Sequence, residues 1–160
     1  MLLHGRSQSR LDETRRKILD IIPSAKLMTY CFDLQSIKGS KQLADAILTN
    51  HGNLDILINN AGNFTVVFCD CSLRSLLCCS LGVFQQTYIT TEDGLESTFA
   101  INVAATYILM CMLYPLLKKS RQSIMLNVSS VSQYDLGHIE LDNLQFEKGE
   151  SWWMDVRMTI

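Results

Sequence analysis

No sizeable excess of charge of either sign runs through this sequence. Its formal net charge is -2 over 160 residues, and the charges are scattered rather than blocked. That removes the electrostatic footprint expected of a nucleic-acid-binding or anionic-membrane-binding protein. No secretory leader is read in the first residues given, so the six cysteines are not expected to form a disulfide framework. Four of them, Cys69, Cys71, Cys78 and Cys79, crowd one stretch without the C-x-x-C spacing that presents two sulfurs to zinc. Neither a metal site nor disulfides are expected, and the setting is read as reducing and cytoplasmic. The longest apolar run, residues 101–117, contains Asn102 and Pro115 and has Lys118 and Lys119 on one side only. It is read as a buried core helix, apolar all round, rather than a membrane span. The length suits one core and is short for two domains.

What is present is an alternation of short apolar runs with helical periods. Residues 1–6 read as the end of a strand, and 7–22 as an amphipathic surface helix with Ser7 or Ser9 as cap and Pro23 as its stop. Residues 27–32 form a β-favouring run ending at Asp33, followed by a helix over 36–50 with Ser36 placed to cap it. Leu54-Asp55-Ile56-Leu57-Ile58 reads as a strand covered on both faces. Residues 91–117 are helical in composition, with Glu92 and Asp93 in the first turn and Lys118 and Lys119 at the end, matching the macrodipole. Residues 123–128 read as another buried strand. Strands alternating with such helices predict an α/β domain, a doubly wound parallel sheet with right-handed crossovers.

The sharpest local signal is Asn59-Asn60-Ala61-Gly62 directly after an apolar strand. Small residues there let a ligand approach the backbone, and open α/β sheets bind ligands at that edge. The same four residues alone would equally serve as an ordinary Asn-rich turn. The order of several motifs decides between these. Gly5-Arg6 ends a strand and Asp33-Leu34 follows the next; then come Asn59-Asn60-Ala61-Gly62, Thr91-Glu92-Asp93-Gly94, Ile101-Asn102-Val103 and Asn127-Val128-Ser129-Ser130. In this order the chain resembles the short-chain dehydrogenase/reductase family, and its retinol-dehydrogenase-like branch through Thr91-Glu92-Asp93-Gly94 and the segment from Leu141 to Lys148.

The resemblance implies a Rossmann-type sheet and hydride transfer between NADP (or NAD) and a lipophilic carbonyl or alcohol. It implies that Arg6 faces the adenosine ribose, where a guanidinium favours a 2′-phosphate. Asp33, with Leu34 beside it, would meet the adenine, and Asn60, Ala61 and Gly62 would line the adenosine side. Asn102 would hold a water of the proton relay, its alternative being a satisfied core amide. Ser130 would bind the substrate oxygen.

Three departures limit what the chain as written is expected to do. No Y-x-x-x-K pair follows Ser130, where the family places its general acid/base tyrosine and the lysine that lowers its pKa. Tyr134 is followed four residues later by His138. No glycine-rich T-G-x-x-x-G-x-G turn precedes Leu2 to cradle a pyrophosphate. Residues 63–82 look like an insertion without amphipathic logic. The expected organisation is a partial dinucleotide-binding domain over 1–150, interrupted at 63–82, and an unrelated tail over 151–160. A sheet missing its first strand is expected to fold marginally, so a catalytically silent fragment stands as the alternative to an active oxidoreductase.

Overall fold

The computed structural model describes residues 1–61, 88–129, 141–145 and 147. The 63–82 insert, Gly62, Ser130, Tyr134 and the 151–160 tail lie outside the described residues. Strand β1 (Leu2–Gly5) leads through helix α1 (Gln8–Ile21) to β2 (Met28–Cys31), and α2 (Ile37–Asn50) leads to β3 (Ile56–Asn59). A long helix α3 (Ser97–Lys119) then precedes β4 (Ile124–Asn127).

Both strand pairings are parallel. β1 pairs β2 with Leu2 opposite Met28, and β3 pairs β4 with Ile56 opposite Ile124. These are two separate two-stranded sheets, with no described strand joining β1 to β3. The open doubly wound order 3-2-1-4-5 leaves this arrangement when its central strand is taken away. Right-handed crossovers that step first one way and then the other put α1 and α2 on opposite faces.

The core lies between α2, α3 and one face of both sheets. Leu43, Ala44 and Ile47 of α2 meet Ala105, Leu109, Leu113 and Leu116 of α3, with Tyr30 and Leu34 closing one side and Leu2 and Leu57 packed against the cluster. The Tyr30 hydroxyl pairs with His51 Nε2 at 2.8 Å, tying β2 to the end of α2.

Local chemistry explains the element ends. Ser36 caps α2 as expected, its Oγ accepting from Gly39 N at 2.9 Å. Ser7 stands at the N-cap of α1, but its side chain bonds Ser9 instead of the helix backbone. Gly39 has a steric reason: a Cβ there would overlap the Asp33 carbonyl oxygen.

Four expectations are corrected. The helix over 91–117 begins only at Ser97. Thr91 to Gly94 form a turn, with Gly94 N bonded to Thr91 O and Gly94 at φ 76°. An antiparallel bridge, Thr90 to Glu96, closes it. Asp93 reaches across to accept from Ile37 N at 2.7 Å, capping α2 rather than its own helix, and Glu96 caps α3 through Phe99 N at 2.8 Å. Secondly, α3 is not buried all round. Leu109, Leu113, Leu116 and Leu117 are buried, whereas Tyr107 and Tyr114 are exposed. This helix is long and apolar enough to cross a membrane; here one side of it packs on α2, as a core helix does.

The third and fourth corrections concern β3 and β4, expected to be covered on both faces. Ile56 is 54% exposed, Ile58 58%, Ile124 58% and Leu126 49%. Side chains alternate along a strand, so Leu57 meets the core while Ile56 and Ile58 project to the opposite face. Helix α1 packs chiefly on β1 and β2, and these side chains are left exposed.

Candidate functional site

The predicted site residues gather at the carboxyl ends of the strands. β1 delivers Arg6, β2 delivers Asp33 and Leu34, and β3 delivers Asn60 and Ala61. Gly62 and Ser130 follow β3 and β4 in sequence but lie outside the described residues.

Arg6 is exposed and makes no ion pair among the described residues. It borders a cleft of about 510 Å³ together with His4, Gly5, Ser7, Arg10, Leu11 and Thr14. Two guanidiniums thus flank one concavity at the amino end of α1, where orphan N–H groups and the helix dipole also favour an anion. Ser7 and Arg10 were missed in reading the sequence. The detectable signal was the Arg6-to-Arg10 spacing of four, which brings both onto one side of the helix entrance.

Asp33 holds the turn that follows β2. Its Oδ1 accepts from Gln35 N at 3.0 Å, and its other oxygen has no partner among the described residues. The Asp33 charge raises the pKa of His4, as does the bond from His4 Nε2 to Phe32 O at 3.0 Å. Desolvation at the cleft wall is the largest influence on His4 and leaves its pKa below the ordinary histidine value. Leu34 is buried in the core and lines a second cleft, between β1 and β3.

At the other end, Asn60 and Ala61 are exposed and line this second cleft, of about 710 Å³. Asn59 Nδ2 donates to Asn127 Oδ1 at 2.8 Å, and Val128 N donates to Asn59 O at 2.9 Å. These bonds lock the carboxyl ends of β3 and β4 in register, one residue from Asn60 and three from Ser130.

Asn102 lies within a π-helical stretch, Ala100–Ala105, inserted into α3. Its Oδ1 is buried without a hydrogen-bond partner among the described residues. A buried amide acceptor left open is costly, and π-turns inside α-helices concentrate at functional sites. Among the described residues, then, nothing satisfies this acceptor as the core-amide alternative would have it. The start of α3 is held from a distance: Glu96, fully buried, donates its N–H to Gln145 Oε1 at 2.8 Å, and Tyr88 Oη donates to Gln145 O at 2.9 Å. Among the described residues no group of histidine, cysteine, aspartate and glutamate side chains is arranged to hold a metal.

Two parallel strand pairs, with an arginine after β1, an acidic residue after β2, Asn60 and Ala61 after β3 and a helix with a π-helical stretch before β4, form an incomplete Rossmann-type α/β fold. The family model for short chain dehydrogenases matches residues 1–137, and the chain belongs to that family. Human retinol dehydrogenase 13 is 32% identical over 115 residues, and human retinol dehydrogenase 14 is 33% identical over 116; each alignment covers 72% of this chain. The chain spans 28% of the length of either relative. Among solved structures, a protein of Mycobacterium paratuberculosis superposes over 99% of this chain and 47% of its own, with a TM-score of 0.67 and 20% identity. A metagenomic short-chain oxidoreductase in complex with NADP superposes over 99% of this chain and 61% of its own, with a TM-score of 0.59 and 20% identity.

Proposed function

We propose that the lineage of this chain carries out NADP(H)-dependent hydride transfer on a lipophilic carbonyl or alcohol, and that the residues here form the adenosine half of its cofactor site. The observation that carries the reading is the Arg6, Ser7 and Arg10 cleft. A 2′-phosphate seated there meets two guanidiniums and a helix amino end, whereas the bare ribose of NAD gains nothing from the second charge. Asp33 supplies an acceptor for the adenine amino group. Ala61 leaves room for a ring to lie on the backbone, and Asn60 offers an amide at the rim. When bound, the cofactor would supply the hydride. The chain's own residues bind and orient it, with Ser130 as the substrate-oxygen donor and the open acceptor of Asn102 as a seat for a water. The retinol dehydrogenases among its relatives are the ground for a retinoid-like substrate class.

A second reading concerns residues 1–160 taken by themselves: they bind cofactor without turning over, because within them no lysine stands four residues after a tyrosine beyond Ser130, the pair that would serve the proton transfer.

Titration with NADPH and NADH, followed by nicotinamide fluorescence, tests the cofactor reading. Arg6→Ala should weaken NADPH by about tenfold, the loss of one charge-assisted contact, and leave NADH unchanged. Equal effects on both, or no binding of either by the parent chain, would refute it. Assay with NADPH and retinal should give no turnover; measurable turnover would overturn the silent reading while leaving the cofactor reading intact.

A further inference from the structure

Ser7 borders the same cleft as Arg6 and Arg10. Its backbone is extended, at φ -129° and ψ 118°, and its hydroxyl leaves the helix backbone uncapped, meeting Ser9 Oγ at 3.0 Å instead. Among the described residues the one ion pair is Lys17 with Glu13, so no carboxylate neutralises either arginine of the cleft. A half-buried nucleophilic hydroxyl thus stands between two unpaired positive charges, beside a space of about 510 Å³. A 2′-phosphate is one group that answers this charge. A phosphate carried by the chain itself is another.

We propose that Ser7 is a phosphorylation site, and that its phosphate, seated between Arg6 and Arg10, turns the site from NADP(H) toward NAD(H). The effect on cofactor rests on the adenosine-site reading given above; the seat of the phosphate rests on the cleft alone. In the modifying step Ser7 Oγ attacks the γ-phosphorus of ATP. A new O–P bond forms as the bond from that phosphorus to the β,γ-bridging oxygen breaks, ADP leaves, and the hydroxyl proton passes to the base of a protein kinase. Arg6 stands one residue before the acceptor and Arg10 three after it, and Gln8, Ser9 and Arg10 are exposed. The enzyme implied is one that reads arginine on both sides of a serine.

The consequence follows from charge. A phosphoserine carries about -1.5 to -2 charges at pH 7, enough to neutralise both guanidiniums through charge-assisted hydrogen bonds. Because it is tethered next to Arg6, it competes at an effective concentration that a free dinucleotide does not reach. A 2′-phosphate entering the cleft then meets a like charge in place of two opposite ones. The bare 2′-hydroxyl of NAD meets an acceptor, the part an acidic side chain plays at the ribose in NAD sites of this fold. Ser9 cannot act in the same way, since it is not among the residues that line the cleft.

The test uses the full chain with phosphoserine encoded at residue 7 or, as control, at residue 9. By nicotinamide fluorescence, phosphate at Ser7 should weaken NADPH at least about hundredfold and leave NADH unchanged or tighter, whereas phosphate at Ser9 should shift NADPH by less than about threefold. Phosphatase should restore the parent affinities. A second readout needs no cofactor: by phosphorus NMR the second pKa of the phosphate, ordinarily about 6, should lie lower at Ser7 than at Ser9, and Arg10→Ala should move it back up. The unmodified chain, incubated with ATP and a kinase whose substrates carry arginine three residues after the serine, should take up phosphate at Ser7, read by mass spectrometry. Equal weakening of NADPH and NADH, equal effects at Ser7 and Ser9, matching phosphate pKa values at the two positions, or labelling that spares Ser7 would each overturn the proposal. Failure of the unmodified chain to bind either cofactor would sink the adenosine-site reading and the switch with it, while the phosphorus titration would separately uphold or reject the seat.

Discussion

Replacing Gly39 by alanine sets two effects of opposite sign against each other. Gly39 is the third residue of α2, and in a helix alanine is favoured over glycine by about 1 kcal/mol. On propensity alone G39A stabilises the protein. The packing opposes this, because a Cβ at residue 39 overlaps the Asp33 carbonyl oxygen and also crowds the Asp33 carbon and Ser36 Oγ. The obstacle is backbone, so it cannot rotate away. Relieving it means shifting the turn between β2 and α2, which loosens the Ser36 cap, worth about 1 kcal/mol, and adds overpacking strain of roughly 1–3 kcal/mol. The strain and the lost cap exceed the propensity gain, and G39A should lose about 1–3 kcal/mol net by the same terms. Urea unfolding followed by circular dichroism measures it, with G52A as control, since nothing lies within 4 Å of a Cβ at Gly52. G52A should be neutral or slightly stabilising. A G39A midpoint at or above that of the parent would refute the steric reasoning and with it the placement of Asp33 against α2.

Glu96→Ala should cost about 1–2 kcal/mol in the same assay, because it removes the cap of α3 and the acceptor for the Ser97 hydroxyl; Glu96→Gln, which keeps an acceptor, should cost less. Asn102→Leu should leave the denaturant midpoint unchanged or raise it by up to about 1 kcal/mol, since it deletes an open buried acceptor rather than a bond; a loss beyond that would mean that Asn102 holds the structure. His4 has a folded pKa below its unfolded one, so in the range between the two the folded state binds fewer protons than the unfolded state. Its contribution to stability is complete above about pH 6.5 and is lost as acidification passes through that value toward the lowered folded pKa. Denaturant midpoints from pH 8 to 5 should fall, with a shallower slope in His4→Gln; identical slopes would exclude His4 as the source.

The elements that could be read from sequence are those fixed by neighbours along the chain. Ser36 and Gly39 are three apart, and Pro23 stops α1 two residues past Ile21. Alternating strand and helix periods identified the parallel architecture for the same reason. What escaped was set by distant partners. Asp93 looked like a first-turn residue because acidic groups suit helix amino ends, and it does serve one; the helix is α2, 56 residues earlier in the chain. Ile56, Ile58, Ile124 and Leu126 looked buried because an apolar run reports an affinity for cover, whereas cover depends on what lies opposite. For the candidate site, motif order pointed to Arg6 and Asp33, which the structure places after β1 and β2. Ser7 and Arg10 escaped it, because their place in the cleft arises where a helix entrance meets a strand end.

That geometry ties binding to core packing. Arg6 ends β1 and Asn60 follows β3, on opposite banks of a cleft that no described backbone ladder crosses. The separation between the two residues is therefore not set by hydrogen bonds of the sheet. It is set by Tyr30 and Leu34 packing on α2, by α2 packing on α3 through Leu43, Ile47, Leu109 and Leu113, and by Leu57 resting on that cluster. Side-chain packing tolerates small displacements at little cost where a ladder does not, since a shifted ladder breaks directional bonds. A dinucleotide that must touch both banks thus meets a site whose width is a property of the α2–α3 interface.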